Sequence, residues 1–261
     1  MGSLFSSIDI SRLGLQASQV QLNVTSHNIA NVNTDGYSRQ RAELTTPFPI
    51  KYPFGQLGRG VTIGQVTRIR DAFLDKVYRD QHPTMGAADV KARYFSLIED
   101  AFLEPTEDGF STRINEFFDA LNDFANNVEE APVREATVAQ ANALAESMNE
   151  LSERFSDLRT AANEEVRNLV PRVNSLAQTI AATNVQIRDS ELDNTIANDI
   201  RDERDRALDE LSRLVNINYT ERADGQITVR IGSDILVDET GARQIEARFN
   251  DALDPERGDL L

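Results

Sequence analysis

From Ser3 to about Val32, Leu4, Ile8, Ser11, Leu15, Ser18, Leu22, Thr25 and Ile29 recur at alternating steps of four and three. That is the spacing of one stripe along a helix. The stretch holds no proline and, after Gly2, only Gly14, so nothing in it breaks a helix. Ser11, Ser18 and Thr25 dilute the Leu and Ile of the stripe. Such a mixture makes a poor core for an isolated helix but suits close packing against neighbours supplied by other chains. Asn28, Asn31 and Asn33, followed by Thr34, Asp35 and Gly36, offer capping and turning side chains that end the helix.

The pattern then changes. Between Tyr37 and Arg70, prolines 47, 49 and 53 and glycines 55, 58, 60 and 64 separate short β-prone pieces, of which residues 61–69 alternate best. This predicts an extended arm with a strand or hairpin. Residues 71–102 return to a helical pattern, with Phe73, Val77, Tyr94, Leu97, Ile98 and Ala101 on the apolar side and a kink or interruption at His82-Pro83. A third helix is predicted over residues 111–128 from Ile114, Phe117, Phe118, Leu121, Phe124 and Ala125, with Ser111 as its N-cap.

The longest signal covers residues 133–188. Leu144, Met148, Leu151, Phe155, Leu158 and Ala162, then Val166, Leu169, Val173, Leu176, Ile180, Thr183 and Ile187, keep four-three spacing with one stutter at Ala162 to Val166. Pro171 predicts a kink or break within it. Residues 195–215 give another helix, with Ile196, Ile200, Ala207, Leu208, Leu211 and Leu214 inward and the charged run RDERDR on an exposed face. From Asn216 the alternation becomes two-fold, with turns at Asp224-Gly225 and Thr240-Gly241.

The predicted fold is therefore mainly α: an elongated helical bundle or coiled coil with an extended β arm near the N-terminus and a small β module at the C-terminal end. Four segments follow: 1–36, a helix and its end loop; 37–70, the arm; 71–215, the long-helix bundle; and 216–261, the start of a β-rich part.

Composition removes several kinds of chemistry. The 261 residues include no cysteine, which excludes disulfides, thiolate metal sites and cysteine nucleophiles. A formal charge of −16 argues against general nucleic-acid binding. No apolar run reaches the roughly 20 residues of a membrane helix, and the N-terminus lacks the basic flank of a signal peptide. The charge is also uneven: residues 1–70 carry +4 and the remainder −20, a split that an assembly can use.

Neither histidine belongs to a zinc motif: His27 lies in SHNIAN and His82 in QHPTMG, and both read as surface or packing residues. No GxSxG, GxxxxGK[ST] or GxGxxG occurs, and Gly55, Gly58 and Gly60 read as turns rather than a phosphate cradle. Asp199, Asp202, Glu203 and Asp205 have the chemistry to hold a hard cation. Arg201, Arg204 and Arg206 alternate with them, however, so a face of helical ion pairs is the expectation. No catalytic, cofactor or metal residue is assigned.

Two segments go beyond a generic reading. Asn28-Ile29-Ala30-Asn31-Val32-Asn33-Thr34-Asp35-Gly36-Tyr37-Ser38-Arg39-Gln40, preceded by Gly14-Leu15 and Leu22, resembles the N-terminal signature of bacterial flagellar axial proteins. Its GYSRQ form and the long helical region after it are similar to the hook-associated protein 1 family, which forms the hook-filament junction. Arg201 to Asp205, then Leu208 to Val215 and the strands around Asp224-Gly225, resemble that family's helix-to-β transition.

The resemblance implies a structural subunit of the flagellum, not an enzyme, without cofactor or metal. It implies self-association in a ring or helical axial assembly, with hook protein on one side and a second junction protein or flagellin on the other. It further implies passage through the export apparatus of the flagellar type III pathway without a cleaved signal peptide, to the extracellular flagellum. The implied assembly residues are Leu4, Ile8, Leu15, Leu22 and Ile29 on the stripe. Asn28, Asn31, Asn33 and Thr34 would fix the helix end, Gly36 would supply a special backbone conformation, and Tyr37, Arg39 and Arg41 would contact the next subunit. The family also implies a C-terminal partner helix, which these 261 residues lack, so the N-terminal helix is expected to be poorly ordered before assembly. Two other readings stand beside this one. A rod or hook subunit shares the N-terminal motif but not the long 133–188 helix, and an acidic coiled-coil enzyme or metal-binding protein would use Asp199 and Asp202.

Overall fold

A computed structural model describes residues 3–102, 109–192 and 195–248, with side chains from Ser6 onward. The Leu4 side chain and the end of the predicted 216–261 segment lie outside the described residues. The chain is mainly α. Helix α1 spans Ser3–Ala30, α2 Ala72–Phe102, α3 Phe110–Asn126, α4 Ala131–Ser190 and α5 Asn198–Leu214. Strands β1 (Gln40–Thr45) and β4 (Thr62–Arg68) pair antiparallel and enclose a hairpin of β2 (Ile50–Tyr52) and β3 (Gly55–Leu57). A four-stranded antiparallel meander follows α5: β5 Ile217–Glu221, β6 Ile227–Ile231, β7 Asp234–Asp238 and β8 Gly241–Ala242.

By compactness the chain forms two units, and α2 and α4 each contribute to both. The first unit comprises Met1–Pro83 and Arg172–Ile245, and Thr84–Pro171 forms the body of the second. The division falls at the two prolines for which a kink or break was expected. Both helices instead continue through them, and each proline removes one backbone donor without ending the helix. Ser111 is likewise not a cap: α3 begins after Gly109, which is extended and makes no side-chain capping bond, and Ser111 lies inside the helix.

The buried core of the described residues belongs to the first unit. Val173, Leu176, Ala177 and Ile180 of α4 meet Ala207, Leu208 and Leu211 of α5 over Ile217, Ile227, Val229, Leu236 and Val237 of the meander. Burying each of the Val, Leu and Ile side chains contributes about 1.5–3 kcal/mol. Two α4 asparagines tie the helix to the sheet and to the segment that follows it. Asn184 donates to the Ile227 carbonyl at 2.7 Å and accepts from its N–H at 3.0 Å, and Asn174 does the same with Ile245 at 3.0 and 2.9 Å. Leu236 and Val237 are both buried although adjacent, which breaks the two-fold alternation beside a bulge between Val229 and Arg230.

In the second unit, the Phe102 ring lies 5.6 Å from Phe155 and 6.0 Å from Phe110, so the ends of α2, the start of α3 and the middle of α4 share one aromatic contact. Glu165 accepts from Arg93 at 2.5 Å and from the Tyr94 hydroxyl at 2.9 Å, and Thr137 donates to the Ala120 carbonyl at 3.1 Å. Phe95 and Phe118 stay exposed.

Candidate assembly surface

Helix α1 carries apolar residues on two opposite faces. One face consists of Leu13, Ala17, Val20 and Val24, also at four-three steps; Ala17 is buried, the others half-buried, and the helix packs through them on β1 and β4. This gives α1 a seat within its own chain. The stripe predicted from the sequence is the other face: Ile8, Leu15, Leu22 and Ile29 are 57%, 64%, 66% and 68% exposed. Their seven-residue spacing keeps all four in one line along the helix.

The loop after α1 is held by its own side chains. Asn28 Oδ1 accepts from the Gln40 N–H at 2.9 Å and from the Tyr37 hydroxyl at 2.8 Å, while its Nδ2 donates to the Gln40 carbonyl at 2.9 Å. The Tyr37 oxygen is also 3.1 Å from His27 Nδ1, and the two rings meet edge to face at 5.4 Å. Burial and the nearby carboxylates of Asp199 and Asp202 push the Tyr37 hydroxyl up in pKa, which keeps it a neutral donor. Asn31 donates to the His27 carbonyl at 3.0 Å and accepts from Thr34 Oγ1 at 3.2 Å. Gly36 sits at φ +75°, where a Cβ would also come within 3.2 Å of the Arg206 side chain. Asn33 and Arg39 face solvent, and Arg41 pairs with Glu43 at 3.3 Å. The Tyr37 hydroxyl and the Asn28 and Asn31 amides are thus spent inside the chain, whereas the stripe, Asn33 and Arg39 point outward.

The larger surprise is α5. Its RDERDR run is not an exposed face of helical ion pairs: Asp202, Arg204 and Asp205 are buried. The carboxylates pair with arginines from the N-terminal part of the chain. Arg68 at the end of β4 donates to Asp202 at 2.8 Å and to Asp205 at 2.7 Å, and the Ser38 N–H donates to Asp202 at 2.9 Å. Arg79 of α2 donates to Asp209 at 2.6 Å and to Asp205 at 3.3 Å, and Arg70 pairs with Asp75 at 2.5 Å. Burial alone would raise the Asp205 carboxyl, but the guanidiniums of Arg68, Arg70 and Arg79 outweigh it and hold that carboxyl below its usual range. Gln40 donates to Asp199 at 2.7 Å and Asn198 to the Val66 carbonyl at 2.8 Å, so β1 and β4 are bound along the same helix.

Two α5 arginines, Arg201 and Arg204, turn the other way. Arg201 is clasped by Glu191 at 2.7 and 2.8 Å and reaches Glu221 at 2.8 Å; Arg204 bonds the Gly225 carbonyl and Glu221. One helix therefore joins the N-terminal part of the chain through its aspartates and the meander through Arg201 and Arg204. No group of three or more metal-ligating side chains occurs among the described residues. His82 is buried against Tyr78 and Ser212, with its Nδ1 3.2 Å from the Ser212 hydroxyl. No described helix is long and apolar enough to cross a membrane.

Comparison with known proteins agrees with this architecture. The family model described as the helical domain of flagellar hook-associated protein FlgK matches residues 95–260, and the model for flagella basal body rod protein matches residues 8–37. The chain is 35% identical over 232 residues to flagellar hook-associated protein 1 of Bacillus subtilis, covering 86% of this chain and 46% of that protein. It is 27% identical over 249 residues to the protein of that name from Escherichia coli, covering 94% and 45%. The chain spans about half the length of the curated relatives it matches. A solved flagellar hook junction protein, FlgK from Burkholderia pseudomallei, shares the fold with a TM-score of 0.57 at 23% identity, over 69% of this chain and 32% of that one.

Proposed function

Because the chain belongs to the flagellar hook-associated protein FlgK family, we propose that it is a structural subunit of the hook-filament junction that polymerises through the outer face of α1. The observation that carries this is the line of Ile8, Leu15, Leu22 and Ile29, exposed on a helix whose opposite face is already seated on β1 and β4. Seating fixes the direction of the stripe before a neighbour arrives, which lowers the ordering cost of assembly. Covering four such side chains is worth roughly 1.5–3 kcal/mol each, and Ser11, Ser18 and Thr25 beside them let a neighbouring helix approach closely.

In this reading the subunit forms a ring or helical layer, contacts hook protein on one side and a second junction protein or flagellin on the other, and reaches the extracellular flagellum through the export apparatus. It is not an enzyme. A second reading, a rod or hook subunit, is favoured by the rod-protein match at residues 8–37. That match covers only α1 and its end loop, whereas the helical-domain match at residues 95–260 speaks for the junction.

The test is a charge placed in the stripe: Leu15→Asp with Leu22→Asp. Both positions are exposed, so the fold is retained, with stability within about 0.5 kcal/mol of the parent. Cells producing only this variant are expected to release flagellin into the medium and to lack attached filaments. Normal filaments with a verified variant would overturn the assignment.

A further inference from the structure

The β2–β3 hairpin leaves its apolar side chains in solvent. Phe48 and Phe54 are 92% and 81% exposed, Ile50 and Leu57 are exposed as well, and the Tyr52 ring stacks on Phe54 at 5.1 Å. Every residue of β3 is exposed. A two-stranded hairpin is marginal in water by itself, and clustered exposed aromatics mark a contact surface. Its charge also has one sign. Between Glu43 and Asp71 the sequence holds no carboxylate. Of the basic residues there, Arg68 is paired with Asp202 and Arg70 with Asp75, whereas Lys51 and Arg59 are exposed and have no partner among the described residues.

The hairpin is anchored at one end of α1. Gly60, at φ +88°, packs so closely on that helix that a Cβ there would come within 3.2 Å of Ile10 Cγ2. Roughly 26 Å of helix, at about 1.5 Å per residue, separates Ile10 from His27. At that far end, within the same unit, a cavity of about 300 Å³ is lined by the α1 end loop and α5. Its carboxylates count only after pairing. Asp202 is spent on Arg68 at 2.8 Å. Asp35, Asp199 and Glu203 are exposed and have no arginine or lysine partner among the described residues; Asp199 meets Gln40 at 2.7 Å and His27 at 4.0 Å. Against these three stands the single guanidinium of Arg206, so the mouth keeps an excess of negative charge. Val32 in the same loop is 73% exposed.

An apolar, cationic projection at one end of α1 thus matches an anionic recess with an apolar neighbour at the other end. Resting on the reading of the chain as an axial subunit, we propose that the β2–β3 hairpin docks on the α1 end loop of a second copy of this chain. Lys51 and Arg59 meet Asp35, Asp199 and Glu203, and Phe48 and Phe54 cover Val32. Because the two patches differ, the contact is head-to-tail, and such a contact either closes into a ring or repeats along a helix. Opposite charge on the two patches selects this register over hairpin against hairpin or loop against loop, where like charges meet.

The test is a charge swap. Lys51→Glu with Arg59→Glu reverses the hairpin, and Asp35→Lys with Glu203→Lys reverses the recess; all four side chains are exposed, so the subunit folds. In cells producing only the variant, either pair alone is expected to lower the number of attached filaments by ~10-fold or more, and the four changes together to restore most of them. Normal filaments with either pair alone would overturn the proposal. So would loss with both pairs that the combined variant does not recover, since the hairpin would then dock on a different protein. Leu15→Asp with Leu22→Asp separates this joint from the reading beneath it: filament loss there, beside normal filaments in the hairpin variant, removes the joint and leaves the role of the α1 stripe standing.

Discussion

Replacing Asp205 with Asn measures how much of the fold depends on ion pairs between distant parts of the chain. The carboxylate is 6% exposed and receives Arg68 at 2.7 Å and Arg79 at 3.3 Å, with Arg70 at 3.8 Å. Removing one partner of a buried pair typically costs about 3–5 kcal/mol, because a charge is left uncompensated. Here each arginine keeps a second carboxylate: Asp202 for Arg68 at 2.8 Å, Asp209 for Arg79 at 2.6 Å and Asp75 for Arg70 at 2.5 Å. The low end applies, about 3 kcal/mol. For a domain of this size that lowers the thermal midpoint by about 6–12 °C. Urea denaturation followed by circular dichroism gives the free energy directly. Had the RDERDR run been a solvated face of helical pairs, the loss would be only about 0.5 kcal/mol. A measured loss below about 1 kcal/mol would therefore refute the claim that this carboxylate is a buried tie between α5 and the N-terminal arginines.

Other outcomes follow from the same contacts. Gly36→Ala places a Cβ at φ +75° and against Arg206, which should cost roughly 1–2 kcal/mol in a denaturation series. Tyr37→Phe removes the donor to Asn28 at 2.8 Å; about 1 kcal/mol is expected, with faster amide exchange at Gln40. Acid stability has a defined sign: the folded Asp205 carboxyl is held below its ordinary value, so the stabilisation it provides is complete above about pH 4 and is lost as pH falls through the lower folded value. Thermal midpoints should therefore decline below about pH 4, and Asp205→Asn should show a shallower decline.

Periodicity made the helices readable. The four-three steps of α1 and α4 survive in the structure because each stripe is longer than local exceptions such as Pro171. Ser111 misled because a serine before an apolar run has the right chemistry for a cap, yet the cap position is Gly109, two residues earlier. The inner face of α1 escaped notice because Ala17, Val20 and Val24 are smaller than the Leu and Ile of the outer stripe, and two opposed stripes nearly cancel in amphipathicity. The α5 seam was illegible for a different reason. Alternating Arg and Asp fit pairing three or four residues apart, and nothing in the local sequence announces that Asp202 is bonded to Arg68, 134 residues away, or Asp205 to Arg79, 126 away. Arg68 and Arg70 appeared only as part of a mild positive excess over residues 1–70, and Arg79 lay in the acidic remainder. An arginine-rich end facing an acidic body was the available signal, and its partner proved to lie within the chain.

The account rests on the outer face of α1 being free in the single chain and covered in the assembly. With no cysteine among the 261 residues, Leu15→Cys introduces a lone thiol on that stripe. Maleimide labelling of the free subunit and of purified flagella containing it compares the two states directly. The account predicts rapid labelling of the free subunit, where Leu15 is 64% exposed, and strong protection in the flagellum. Equal labelling in both would contradict it.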